Sequence, residues 1–256
     1  MIIHDNFVGG NIKILKVDEN DVYLEVDLRD TKRDWFYWAF CVEGVGEREV
    51  TFHFKEHRLG YFGPAVSHDL KKWVWLDSND TNSFTYKFNS SNEKIYFAHS
   101  LLYHPKRFEE FVSSKGIDIL EFAKSKNKQS IPYIMFGDGQ LILLTARHHS
   151  CESTGSFVLE GVIDELISNP ISGYKFVVVP FVDYDGVVDG DQGKDRYPHD
   201  HNRDYDINMN PIYQTTCRLR EIIDENNVVC AFDFHSPYHF GGRNDFPFIV
   251  ENDKTK

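Results

Sequence analysis

The first hundred residues carry a period of two. Val50-Thr-Phe-His-Phe54 and Phe84-Thr-Tyr-Lys-Phe88 alternate apolar and polar positions, and Asp34-Trp-Phe-Tyr-Trp-Ala-Phe-Cys-Val42 is aromatic and β-prone. Turn clusters at Asp77-Ser-Asn-Asp80 and Asn89-Ser-Ser-Asn92 separate such runs. Short alternating runs between turn signals predict an antiparallel sheet or sandwich with the aromatic residues in its core. The period changes after Pro105. Apolar positions at Phe108, Phe111, Val112, Ile119, Leu120 and Phe122 predict a helix over Lys106 to Asn127, broken at Gly116. Ile131 to Phe136 and Leu141 to Leu144 predict strands joined by the turn Gly137-Asp-Gly139. Glu152 to Ser168 predicts a helix with its stripe at Phe157, Leu159, Val162, Ile163 and Leu166. Lys175 to Val182 predicts a buried strand, Pro211 to Asn226 a helix, and Val228 to Phe234 a second buried strand. Strands alternating with helices imply an α/β layer on a parallel or mixed sheet. The fold class expected is therefore α/β: an N-terminal antiparallel β-sandwich over 1–107, then a mixed-sheet α/β domain over 108–256.

Composition narrows the function classes. The chain of 256 residues is long enough to bury a substantial core, with 41% hydrophobic and 27% charged residues. A formal net charge of −12 argues against a nucleic-acid partner, which needs clustered Lys and Arg. Cys41, Cys151, Cys217 and Cys230 show no Cys-x-x-Cys spacing and read as reduced thiols of an intracellular protein. The start, MIIHDNFVGGNIKI, lacks a basic segment followed by a long apolar run, so no secretory leader is expected. The longest apolar runs, such as Phe176 to Val182, are too short to span a bilayer. The expectation is a cytoplasmic protein with no membrane partner.

Two His-x-x-Glu pairs invite comparison. His53 and Glu56 follow an alternating strand, where residues three apart face opposite ways, so the pair reads as a solvated face. His149 and Glu152, in Thr145-Ala-Arg-His-His-Ser-Cys-Glu-Ser153, stand where a buried strand gives way to a helix. Residues three apart at a helical start share a face, and strand ends in α/β sheets are where sites form. An imidazole and a carboxylate so placed can chelate a divalent ion, and a zinc site needs a third ligand from elsewhere. Ala231-Phe-Asp-Phe-His235 offers His235 at another strand end, with Asp233 on the same face to orient it. Taken alone, His235 reads rather as a capped core histidine than as a ligand. The loop Lys194 to Tyr205 contains Asn202-Arg203, an amide beside a guanidinium fork, which suits a carboxylate. The plainer alternative is a solvated loop with local salt bridges. His199 and His201 are weaker ligand candidates.

In this order the three clusters resemble the M14 zinc carboxypeptidases, specifically their cytosolic carboxypeptidase-like branch. ARHHSCES resembles that branch's Ala-Arg-x-His-Pro-Gly-Glu, HDHNRDY its Asp-Leu-Asn-Arg-x-Trp, and DFHSP its Asp-x-His. RDWFYWAFCVEGV and RLGYFGPAVSHDLKKWVWL resemble the branch's leading β-sandwich, and EKIYFAHSLLYHPKRFEEFV its linker into the catalytic domain. The resemblance implies that His149, Glu152 and His235 bind zinc. It implies that Asn202 and Arg203 hold the C-terminal carboxylate of a peptide or protein substrate. Metal-activated water then hydrolyses the C-terminal peptide bond. Arg196, with Lys194 as its alternative, is taken as the cation that stabilises the oxyanion. Cys151, between the ligands, is read as structural, Arg147 as supporting, and His148 as incidental to the metal.

One departure stands out. The family carries its general-base Glu on a later strand, whereas this chain stops at Lys256, and its last acidic residues, Asp245, Glu251 and Asp253, lack that motif context. The expectation is a C-terminally truncated chain without the general base. Two further readings follow: a non-catalytic zinc- or peptide-binding protein, and an amidohydrolase of the aspartoacylase group. The leading β-domain and the Asn-Arg pair favour the peptidase.

Overall fold

The computed structural model describes residues 1–78, 80–206, 208, 210–242 and 246–250. Nine strands form two facing sheets. One has the order β1 (Ile2–His4), β4 (Ala39–Glu43), β9 (Lys94–Ala98), β6 (Ala65–Ser67), β7 (Val74–Trp75); the other runs β2 (Lys13–Val17), β3 (Asp21–Glu25), β5 (Arg48–Phe54), β8 (Ser83–Phe88). Every pairing is antiparallel except β3 with β5, which is parallel, so the sandwich departs from the purely antiparallel expectation at one seam. Alternation works as predicted along β5: Val50, Phe52 and Phe54 are buried while Thr51 and His53 face outward. The Phe52 ring stacks on Phe84 across the strand pair, 5.0 Å between centroids, and Trp38, Phe40 and Phe97 complete the core between the sheets. His53 pairs with Asp21 at 2.7 Å, and Glu56 with Arg58 at 3.5 Å, so the decoy His-x-x-Glu pair does not meet. Only Ala39–Glu43 of the aromatic run is a strand; Asp34 to Trp38 runs irregularly towards the second half of the chain.

A third sheet has the order β10 (Leu120–Lys124), β11 (Ser130–Gly137), β13 (Gly173–Val179), β12 (Gly139–Ala146), β14 (Val228–Phe234). β13, β12 and β14 are mutually parallel, and β11 is antiparallel to β13. Four helices accompany it: α1 (Pro105–Ser114), α2 (Thr154–Ser168), α3 (Tyr184–Asp189) and α4 (Gln214–Glu225). Both faces of the sheet are covered. Phe176 and Val178 of β13 pack with Leu144, with Phe108 and Val112 of α1 and with Leu159 and Ile163 of α2. Val177 and Val179 point the other way, to Leu143 and to Leu219 and Ile222 of α4. Double coverage explains why β13 reads as a continuous apolar run rather than an alternating one.

Three expectations need correction. The helix expected over 106–127 ends at Ser114, Gly116 takes φ +68, and Leu120–Lys124 is a strand on β11. Only Phe122 of this strand is buried, and a β-bulge between Glu121 and Ala123 breaks the alternation, so the short run carries no period that separates strand from helix. The turn Gly137-Asp-Gly139 does not close a hairpin: β13 lies between β11 and β12. The chain crosses the start of β13 so closely that a Cβ at Gly139, where φ is +122, would stand 2.2 Å from the Gly173 carbonyl oxygen. Finally, β14 is not buried. It pairs only with β12 among the described residues, and Val229 and Phe232 are 42% and 44% exposed.

Candidate metal centre

Parallel register brings the ligand candidates together. Thr145 and Ala146 of β12 lie opposite Asp233 and Phe234 of β14. The residues just beyond both strands therefore emerge side by side at the carboxyl edge of the sheet, where α/β sites form. From β12 the chain passes through Arg147 in the left-handed conformation, φ +63, and enters α2. Arg147 is buried and clamps this bend: Nε donates to the Ser150 carbonyl at 2.8 Å and Nη1 to the Tyr103 carbonyl at 2.8 Å. Gly155, in the first turn of α2, has no side chain to hold off β14; a Cβ there would sit 3.1 Å from the Phe234 carbonyl oxygen.

The result is a convergent triad. His149 Nδ1 lies 2.8 Å from Glu152 Oε1, and His235 Nδ1 lies 2.6 Å from Glu152 Oε2. One ligand atom from each residue lies within 4.8 Å of the others, the reach of a single ion. His149 and Glu152 are buried, while the His235 side chain is 31% exposed, so the group opens on one side. Burial alone would push the Glu152 carboxyl up, but the two imidazoles hold it well below the usual carboxylate range. Burial likewise opposes charge on His235, yet Asp233 and Glu152 hold it up at about 10. His149 Nε2 is buried without a hydrogen-bond partner, so this imidazole has coordinating capacity unspent. Two imidazoles and one carboxylate suit zinc, and binding would displace the protons these contacts share.

Asp233 accepts from His235 Nε2 at 2.6 Å, from Thr145 Oγ1 at 2.9 Å and from His148 Nδ1 at 2.8 Å. His148 Nε2 in turn meets the Tyr205 hydroxyl at 2.6 Å. His148, read from sequence as incidental, thus touches the aspartate that touches a ligand. Its adjacency to His149 was the only sequence signal, and Tyr205 stands where the resembled motif has Trp.

The loop after α3 sorts the other candidates. Arg196 Nε, Nη1 and Nη2 lie 2.8, 2.8 and 2.7 Å from the carboxylates of Asp30, Asp183 and Asp191 respectively. A guanidinium held by three carboxylates ties the sandwich to the α/β half. Gln192 reinforces that seam by exchanging bonds with the Tyr37 backbone at 2.9 and 2.8 Å. No sequence signal links residues this far apart. Lys194 instead reaches a cleft, its ammonium 5.0 Å from the Trp35 ring centroid. The cleft, of about 1070 Å³, lies between the two halves and is walled by Trp35, Tyr61, Trp75, Tyr238 and Phe240. Asn202 and Arg203 occupy a single 3-10 turn, His201–Arg203, with Arg203 exposed. His199 pairs with Asp204 at 2.6 Å and His201 stacks on Tyr213, so neither joins the triad. Cys151 is buried against Phe36 and Tyr37, which pushes its thiol well up and leaves it a packing residue. Asp245, Glu251 and Asp253 lie outside the described residues.

Residues 3–99 match the cytosolic carboxypeptidase N-terminal domain. Cytosolic carboxypeptidase 3 of Bos taurus is 23% identical over 92% of this chain and 29% of that protein. An uncharacterized protein of Zymomonas mobilis is 25% identical over 64% of this chain and 47% of its own length. The chain thus spans less than half the length of either relative. The fold is shared with a metallo-carboxypeptidase of Pseudomonas aeruginosa solved in complex with (2-guanidinoethylmercapto)succinic acid, with a TM-score of 0.79 at 18% identity over 94% of this chain and 71% of that one. No helix among the described residues is long and apolar enough to cross a membrane.

Proposed function

We propose that this chain, which belongs with the cytosolic carboxypeptidases among the M14 metallocarboxypeptidases, binds zinc through His149, Glu152 and His235 and serves hydrolysis at peptide or protein C-termini. The observation that carries the reading is the convergence of two imidazole nitrogens on the two oxygens of Glu152. A zinc ion there supplies Lewis-acid activation of water and of the scissile carbonyl. The chain's own residues do the rest. Arg203, exposed beside Asn202 on the 3-10 turn, offers a planar fork to the substrate's terminal carboxylate. Lys194, whose ammonium stands over the Trp35 ring rather than in a salt-bridge cluster, is the cation this reading assigns to a developing oxyanion. The aromatic cleft between sandwich and sheet accommodates the chain preceding the scissile bond. No residue assigned here is the general base, a role worth about 10²–10⁴-fold in rate. Metal binding and carboxylate capture are therefore the properties by which this reading is tested.

The test is metal analysis of wild type and His149→Ala after dialysis against zinc. One zinc per wild-type chain and its loss in the variant are expected; equal zinc in both would sink the reading. Release of a C-terminal residue from a peptide, compared with deacylation of an N-acyl amino acid, separates the peptidase from the aspartoacylase-type reaction.

A further inference from the structure

We propose that Tyr205 and His148 are positioning residues that act through Asp233 to hold the His235 imidazole in the tautomer and orientation that present Nδ1 to the metal. The inference rests on the metal reading above and adds residues outside the three ligands. An ionised carboxylate only accepts hydrogen bonds, so each ring nitrogen facing Asp233 carries a hydrogen. His148 Nδ1 lies 2.8 Å from Asp233 Oδ1, and His235 Nε2 lies 2.6 Å from Oδ2. With its Nδ1 hydrogen on Asp233, His148 keeps a lone pair on Nε2, which faces the Tyr205 hydroxyl at 2.6 Å, so that the hydroxyl donates to it. By the same rule His235 Nδ1, 2.6 Å from Glu152 Oε2, carries a hydrogen that a bound metal would displace.

Every hydrogen bond in the row points the same way, from Tyr205 through His148 into Asp233, where His235 also donates. Thr145 Oγ1 adds a further donor to Asp233 Oδ1 at 2.9 Å. Asp233 is thus held from the side opposite His235. Without His148 only Thr145 remains on Oδ1, so Asp233 and the ring it orients are held less firmly. Strand register explains why the row can exist: Thr145 lies opposite Asp233, and His148 leaves β12 on the same side of the sheet edge. Tyr205 closes the row from the loop carrying Asn202 and Arg203, which links the candidate carboxylate-binding turn to the metal strand. Partners that orient a ligand in this way are worth about 10–100-fold in metal affinity.

The experiment is zinc competition against a chromophoric chelator, with the Co²⁺ absorption spectrum as a second readout of ligand geometry. It uses the full chain and the variants His148→Ala, His148→Asn, Tyr205→Phe, His149→Ala and Val50→Ala. His148→Ala should weaken zinc by about 10–100-fold and alter the Co²⁺ bands. His148→Asn, which restores a donor near the position of Nδ1, should recover most of that loss. Tyr205→Phe removes one oxygen with little risk to folding and should weaken zinc by about 2–10-fold. Val50→Ala lowers stability in the sandwich core, away from Tyr205 and the triad, and should leave affinity and spectrum unchanged, so that a general loss of stability is told apart from lost positioning. If His149→Ala abolishes binding while His148→Ala and Tyr205→Phe stay within about twofold of wild type, the positioning role is overturned and the triad stands. If His149→Ala binds as wild type does, the metal reading fails and this inference with it.

Discussion

Replacing Arg196 with Met tests whether this residue is a tie between the two halves or a catalytic cation. Its side chain is 13% exposed, and the carboxylates around it are 10% (Asp30), 2% (Asp183) and 17% (Asp191) exposed. Methionine keeps much of the volume but leaves three carboxylates without their cation. Breaking a buried ion pair from one side costs about 3–5 kcal/mol, because the remaining charge has lost its partner but not its burial. With an unfolding entropy of about 2.1 cal/mol/K per residue, the chain should lose about 6–10 °C in Tm near neutral pH. The loss should shrink on acidification, since protonating the stranded carboxylates relieves their repulsion. Thermal unfolding followed by circular dichroism at about pH 8 and about pH 5 measures both. A fall under about 2 °C would refute the burial argument. A loss of peptidase activity at unchanged Tm would return Arg196 to the oxyanion.

Further outcomes follow from other parts of the structure. Burial and the neighbouring Asp30 push the Asp191 carboxyl up to about 7, so the folded state binds more protons than the unfolded one between its ordinary value and there. Its contribution is then present at low pH and lost as pH rises through about 7, and Asp191→Asn should flatten that slope in Tm against pH. Arg203→Ala should weaken binding of a peptide with a free carboxylate by about 10–100-fold and barely change binding of the amidated peptide, as measured by calorimetry. Gly155→Val should cost about 1–3 kcal/mol in denaturant unfolding and also weaken zinc, because its side chain would press α2 away from Phe234 and so Glu152 from His235. Stripping zinc with a chelator should lower Tm, and the fall should grow with the zinc concentration of the loaded sample, as mass action requires.

Much of the site was legible before any coordinates. His149 and Glu152 share a face because the chain bends from β12 towards α2 between them, and that junction was visible as an apolar run followed by a helical stripe. His235 by itself reads as a capped core histidine. Only the parallel pairing of β12 with β14 puts it beside Glu152, and pairing partners are not local information. Arg196 shows the converse. A guanidinium in a charged loop reads as available for substrate, but its three carboxylates come from a loop of the sandwich and from both ends of α3. The helix expected over Leu120–Lys124 failed because five residues are too few to separate a period of two from one of 3.6.

The sequence by itself determined the two-part architecture, the burial of β13 and the closeness of His149 to Glu152, because each depends on periodicity or on residues a few positions apart. Tertiary structure alone decided how the ligands meet, which cations remain near the cleft, and that Tyr205, His148 and Asp233 stand in a row behind His235. The physical reason is range. Backbone geometry sets which side chains share a face within one element. Hydrogen bonds and ion pairs between residues 57, 85 or 166 positions apart exist only after the sheet has chosen its register.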